Sequence, residues 1–95
     1  MIKIISKNDN IKIEGHSGYS EYGSDIVCAS VSSIALTTVD AILKYDEDAL
    51  KYTKEDGYLN IDILKHDRVI DLLIDNMFDM FKDLEQQYKE YIKIN

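Results

Sequence analysis

Ninety-five residues with 18 acidic and 11 basic side chains carry a net charge of −7, no proline and a single cysteine. That balance argues against direct nucleic-acid binding, which draws its affinity from cationic contacts to phosphates. It favours a basic partner instead. One cysteine excludes an internal disulfide and suits a reducing cytoplasm.

The length suits one domain, residues 1–95, burying roughly 60–65% of its unfolded surface. No run of about eighteen apolar residues is present, so no membrane span is expected. Lys3 and the polar residues 6–10 interrupt any signal-peptide core.

Ile2 and Ile4 alternate in residues 1–6, which reads as a strand. Residues 7–10, Lys-Asn-Asp-Asn, are turn composition. Ile11 and Ile13 alternate again, and the two strands form a hairpin. Ile11, Ile13 and Gly15 share one face. His16 falls on the opposite face or just past the strand end.

Residues 17–24 form a connection. Gly18 and Gly23 near its ends permit unusual backbone angles and hinge motion. Tyr19 and Tyr22 are placed either to flank a bound side chain or to sit solvated on an ordinary loop.

A first helix spans 25 to about 44. Val27, Val31, Ile34, Ala35 and Ile42 mark its apolar stripe, widened by Ala29, Leu36, Val39 and Leu43. A helix apolar over so much of its surface is a core element. Residues 45–48 break the pattern without the ligand spacing of a calcium loop. Leu50 and Tyr52 mark a third strand, Glu55-Asp56-Gly57 a hairpin turn, and Leu59, Ile61 and Ile63 a fourth strand.

His66 and Asp67 open a second helix that runs to about Gln87. Its core face is Ile70, Leu73, Met77, Phe81, Leu84 and Tyr88. Its polar side repeats Asp67, Asp71, Asp75, Asp79 and Asp83 at every fourth position. Like charges at that spacing repel weakly. The strip is either a solvated face or a docking strip for a basic polypeptide. Residues 91–94 add a short final strand. The fold class is α+β: a four- or five-stranded, mostly antiparallel sheet packed with two helices in the order ββαββα(β).

The chemistry concentrates in residues 15–33, which hold Cys28 and His16. A thiol attacks only as thiolate, and an ordinary cysteine is a few per cent ionised at neutral pH. Two devices favour the anion here. Asp25 or Ser24 is a natural N-cap, which puts Cys28 in the first helical turn at the positive dipole end. His16 serves as imidazolium partner or as base. Ser32, four residues after Cys28, shares its helix face and can donate a hydrogen bond to sulfur or to substrate. A lone helical cysteine is also a common small core residue, so spacing alone leaves both readings open.

Zinc is not expected, because Cys28, His16 and His66 are too few and too scattered. Neither a phosphate-cradling glycine loop nor a Gly-x-Ser-x-Gly elbow occurs. No metal and no cofactor are expected, and His66 reads as a helix-start residue without a chemical role.

The string is more specific than the spacing. Gly15-His16-Ser17-Gly18-Tyr19, then Gly23-Ser24-Asp25-Ile26-Val27-Cys28-Ala29-Ser30-Val31-Ser32, resembles the ribosomal-processing cysteine protease family Prp, small bacterial proteins of similar length and element order. The resemblance implies a catalytic dyad of Cys28 and His16, supported by Asp25 and Ser32. It implies a mobile substrate loop over 17–24, containing Ser17, Gly18, Tyr19, Tyr22 and Gly23. It further implies a homodimer that removes an N-terminal extension from the large-subunit ribosomal protein L-twenty-seven, a basic peptide substrate. Ser17 and Ser30 depart from the alanine and glycine common at those positions. The rival readings are a non-catalytic binding module in ribosome assembly and a thiol-based redox or acyl-transfer protein.

Overall fold

The computed structural model describes residues 1–15 and 22–95, with the backbone alone for 22–25. The elements run β1 (Ile2–Lys7), β2 (Asn10–Glu14), α1 (Tyr22–Tyr45), β3 (Leu50–Glu55), β4 (Tyr58–Ile63), α2 (Arg68–Gln87) and β5 (Ile92–Ile94). Among the described residues these strands form one sheet of order β3-β4-β2-β1-β5. Every pairing is antiparallel except β1 with β5, which is parallel. The expected order is present, and the final strand makes the sheet mixed.

Two tight turns set the register. Asn8 and Asp9 both adopt positive φ, 50° and 67°, between β1 and β2. That is the turn hand which matches strand twist, and Asn and Asp tolerate it better than other side-chain-bearing residues. Gly57, at φ 71°, closes the β3–β4 hairpin. With register fixed, alternation sends Ile4, Ile13 and Leu59 to one row and Ile11 and Ile61 to the next. All five are buried. The opposite face is polar, and there the Asn10 amide donates to Asn60 Oδ1 and to Asp62 Oδ1 at 2.9 and 2.7 Å.

The edge strand β3 keeps only Leu50 buried. Tyr52 pairs with fully buried Ile61, yet is itself 46% exposed. Its alternation is right, but the edge position leaves it uncovered.

Helix α1 buries Val27, Val31, Ala35, Val39 and Ile42. At about 1.5–3 kcal/mol per large aliphatic side chain, this ridge is a principal source of stability. It shares one core with the sheet residues and with Ile70, Met77 and Phe81 of α2. An eighteen-residue window within Ile26–Tyr45 has a mean hydropathy of 1.9, so this helix is long and apolar enough to cross a membrane by length and composition alone. The reason lies in the ridge itself, whose apolar side chains fill the core.

The start of α1 is also a correction. The helix begins at Tyr22, so Tyr22, Gly23 and Ser24 belong to it rather than to a loop. Asp25 is its fourth residue and not its cap, and Cys28 is its seventh, near the end of the second turn. Nothing in Tyr-Gly-Ser-Asp forbids helical angles without proline, and Ser and Asp are at home in a first turn. The remainder of the expected loop, 17–21, and His16 lie outside the described residues.

Helix α2 begins as expected. Asp67 accepts from the Ile70 N–H at 2.8 Å, and from the Tyr45 hydroxyl at 2.7 Å. These bonds hold its carboxyl below the usual range, the backbone bond first. Asp67 is therefore a cap that ties the end of α1 to the start of α2, rather than a member of an acidic strip. Phe78 and Phe81 meet edge to face, centroids 5.7 Å apart.

His66 does more than start a helix. Its Nδ1 lies 2.7 Å from Asp71 Oδ1, and its Nε2 lies 2.8 Å from Asp9 Oδ1. Two carboxylates facing two ring nitrogens are both satisfied only by the imidazolium, which donates from each. Its pKa is accordingly raised from 6.5, chiefly by Asp71 and then by Asp9. The ring clamps the β1–β2 turn to α2. A raised folded-state pKa makes this stabilisation complete below about pH 6.5 and erodes it as pH climbs through the folded value. Urea unfolding of His66→Gln is therefore expected to show its largest deficit against the parent chain near pH 6. The deficit should shrink toward pH 9; one independent of pH would contradict the clamp.

Candidate active site

Gly15 closes the described part of the N-terminal hairpin. A Cβ built there would lie 2.8 Å from Ile2 Cγ1 and 3.0 Å from Ile2 Cα, closer than real contacts allow. Only glycine lets the end of β2 lie against the start of β1. Its N–H donates to the Gly57 carbonyl at 3.0 Å, which ties it to the β3–β4 turn.

Beside this junction runs an open groove of about 180 Å³. Its floor is apolar, from Ile2, Ile13, Val31, Leu36 and Leu59. Cys28 and Ser32 line one wall from α1, and Gly15 lines the groove as well. The β3–β4 hairpin supplies the other wall, with Lys54, Glu55, Asp56 and Tyr58. This volume is below the roughly 300–1,000 Å³ of small-molecule and cofactor pockets and suits one or two peptide side chains.

Cys28 is a free, partly buried thiol packed against the core cluster. It is neither sealed among aliphatic side chains nor loose on the surface. Being the seventh helix residue, it lies past the first turn, to which the dipole effect is largely confined. The helix-end device expected from the sequence therefore contributes little at the sulfur. The rigidity of α1 does contribute, because a residue on a buried helix is held more closely than one on a loop.

The structure brings Cys28 and Ser32 together in one groove, as their spacing predicts. His16, Ser17, Gly18 and Tyr19 lie outside the described residues, and of Tyr22, Gly23 and Asp25 only the backbone is described. The hairpin wall is not among the site residues that the sequence points to. One signal for it exists in the sequence: Lys54 follows Leu50 and Tyr52 at inward-facing positions. Lys54 pairs with Leu59, whose row continues to Ile13 and Ile4, so it lies on the core face of the sheet. A charge at an inward position shows that the core does not cover this end of the edge strand, and it also guards the edge against pairing with another chain.

A reachable thiol on a rigid helix, beside an apolar slot with a polar rim, is what a thiol hydrolase acting on peptides requires. Comparison with known proteins agrees with that class. Residues 1–93 match the family model described as cysteine protease Prp. The chain is 29% identical over 99 residues to the ribosomal processing cysteine protease Prp of Staphylococcus aureus, covering 96% of this chain and 93% of that protein. It is 24% identical over 92 residues to the protein of that name from Bacillus subtilis, covering 90% and 82%.

Among solved structures, the S. aureus protease with a substrate peptide superposes with a TM-score of 0.86 at 24% identity, covering 99% of this chain and 95% of that one. The same protease with a covalently linked product peptide gives 0.81 at 25%, with the same coverage. The chain belongs to the Prp family and is a cysteine protease.

The groove geometry makes Cys28 accessible without unfolding. Iodoacetamide is expected to label one thiol per native chain, and a groove-filling peptide is expected to slow the labelling. Modification only after denaturation would show the groove closed to reagents.

Proposed function

We infer that the chain cleaves a short N-terminal extension from the large-subunit ribosomal protein L-twenty-seven through a Cys28/His16 dyad. The observation that carries this reading is the shared groove: Cys28 lines it, and so does Gly15, the residue immediately before His16 in the chain. The covalently linked product peptide in the S. aureus relative supports attack by a protein nucleophile on the substrate carbonyl. A net charge of −7 supports a basic polypeptide as the substrate.

The Cys28 thiolate adds its sulfur to the scissile carbonyl carbon. The tetrahedral intermediate collapses, the C–N bond breaks, and the imidazolium of His16 gives its proton to the leaving amine. Water, deprotonated by the same imidazole, then attacks the thioester, releasing a carboxylate and restoring the thiol. Ser32 sits one helical turn from Cys28 on the same wall and donates its hydroxyl to the sulfur or to the peptide. Asp25 orients the site from the N-terminal end of α1, and the segment before the helix, with Ser17, Gly18 and Tyr19, closes over the bound peptide.

The protein works as a homodimer in the cytoplasm in this reading, which light scattering of the purified protein and cell fractionation test. For the activity, the purified chain is mixed with the extended ribosomal precursor and the products are weighed by mass spectrometry. One shortened product is expected. Cys28→Ala should abolish it, and His16→Ala should reduce kcat/KM by about 10²–10⁴, the range for loss of a positioned acid–base group. Cleavage that survives Cys28→Ala would refute the assignment.

A further inference from the structure

A second depression, of about 400 Å³, lies between the β1–β2 turn, the end of β4 and the first half of α2. Its apolar lining is Ile11, Ile63, Ile74 and Phe78. Around these stand Asp9, Asp71 and Asp75, with His66 as the one basic lining residue. His66 is already engaged by Asp9 and Asp71. Among the described residues Asp75 has no ion-pair partner. The cleft thus combines partly buried hydrocarbon with excess negative charge.

That combination matches one kind of side chain. Lysine and arginine lay an aliphatic stem on apolar surface while the cationic head stays in water beside an acid. Here the stem would rest on Ile74 and Phe78, and the head would meet Asp75. The cleft and the Cys28 groove lie toward opposite ends of β2, since Asp9 and Ile11 line one and Ile13 and Gly15 the other. The six residue steps from Asp9 to Gly15 span roughly 20 Å of extended chain. Ile11 and Ile13 between them are buried in the core, so a substrate that occupies both sites passes over the outside of the molecule and needs a longer segment than that.

We propose that this cleft is an exosite: it holds a lysine- or arginine-bearing segment of the substrate protein while the scissile bond lies at Cys28. The proposal rests on the reading that the substrate is a basic protein, and it adds where that basicity is recognised. It also gives the acidic side of α2 a specific reach, with Asp75 and Asp71 at the cleft and Asp67 committed to capping.

The test uses two substrates: the full precursor, and a short peptide that spans only the scissile bond. Asp75→Lys is expected to raise KM for the precursor roughly three- to ten-fold, as expected for reversing one exposed charge at a contact. It should leave kcat, and both parameters for the short peptide, unchanged. Asp75→Asn should move the same parameter less. An unchanged precursor KM, or an equal loss on both substrates, would overturn the exosite.

If the parent chain leaves the precursor intact, the substrate reading has failed and the cleft is tested by itself. Cys28→Ala protein is titrated with a fluorescein-labelled peptide of about twelve alternating lysines and leucines. A Kd that rises in the Asp75→Lys background upholds the cleft; one that does not move refutes it.

Discussion

The structure depends on one packing event: the ridge of α1, Val27 through Ile42, sinking into the core formed with the sheet and α2. Everything functional is referred to that event. Once the ridge is buried, the rotation of α1 is fixed, and Cys28 and Ser32 must line the side of the helix that looks onto the β3–β4 hairpin. A helix free to roll would carry the sulfur out of its groove. The high apolar content that gives residues 26–45 membrane-like hydropathy is the same content that anchors the nucleophile.

The other half of the groove comes from close backbone approach rather than from side-chain burial. Gly15 has no room for a Cβ against Ile2, and its N–H reaches the carbonyl of Gly57. Two glycines from two hairpins therefore meet at one end of the sheet. Their contact brings the Lys54–Leu59 hairpin next to the strand that leads to His16. The site is assembled where a helix wall, a hairpin and a strand end converge.

Among the described residues the ion pairs lie away from this point. Asp67 caps α2 and receives the Tyr45 hydroxyl, Asp46 pairs with Lys65 at 3.1 Å, and His66 bridges Asp9 and Asp71. These join helix to helix, turn to helix and, for Asp46 with Lys65, one connection to another, at the end of the molecule away from Cys28. Of the five regularly spaced aspartates, the fold makes Asp67 a cap, Asp71 part of a clamp and Asp75 part of a cleft wall. With α1 starting at Tyr22, Cys28 lies beyond the first turn, where the helix dipole is felt most.

The amino-acid sequence alone determined the element order, both hairpin turns, the core faces of both helices and the relation of Cys28 to Ser32. Each of these follows from short-range periodicity or from local backbone preference, which act within a few residues. It also carried the string that marks the family. Only the tertiary structure decided that the β3–β4 hairpin walls the groove, that His66 joins Asp9 to Asp71, and that Tyr52 stays exposed despite correct alternation. These depend on which strands become neighbours and which lie at an edge, on contacts between residues about 20 to 60 positions apart. No local pattern encodes that pairing, because it is settled by the joint burial of all the apolar faces at once.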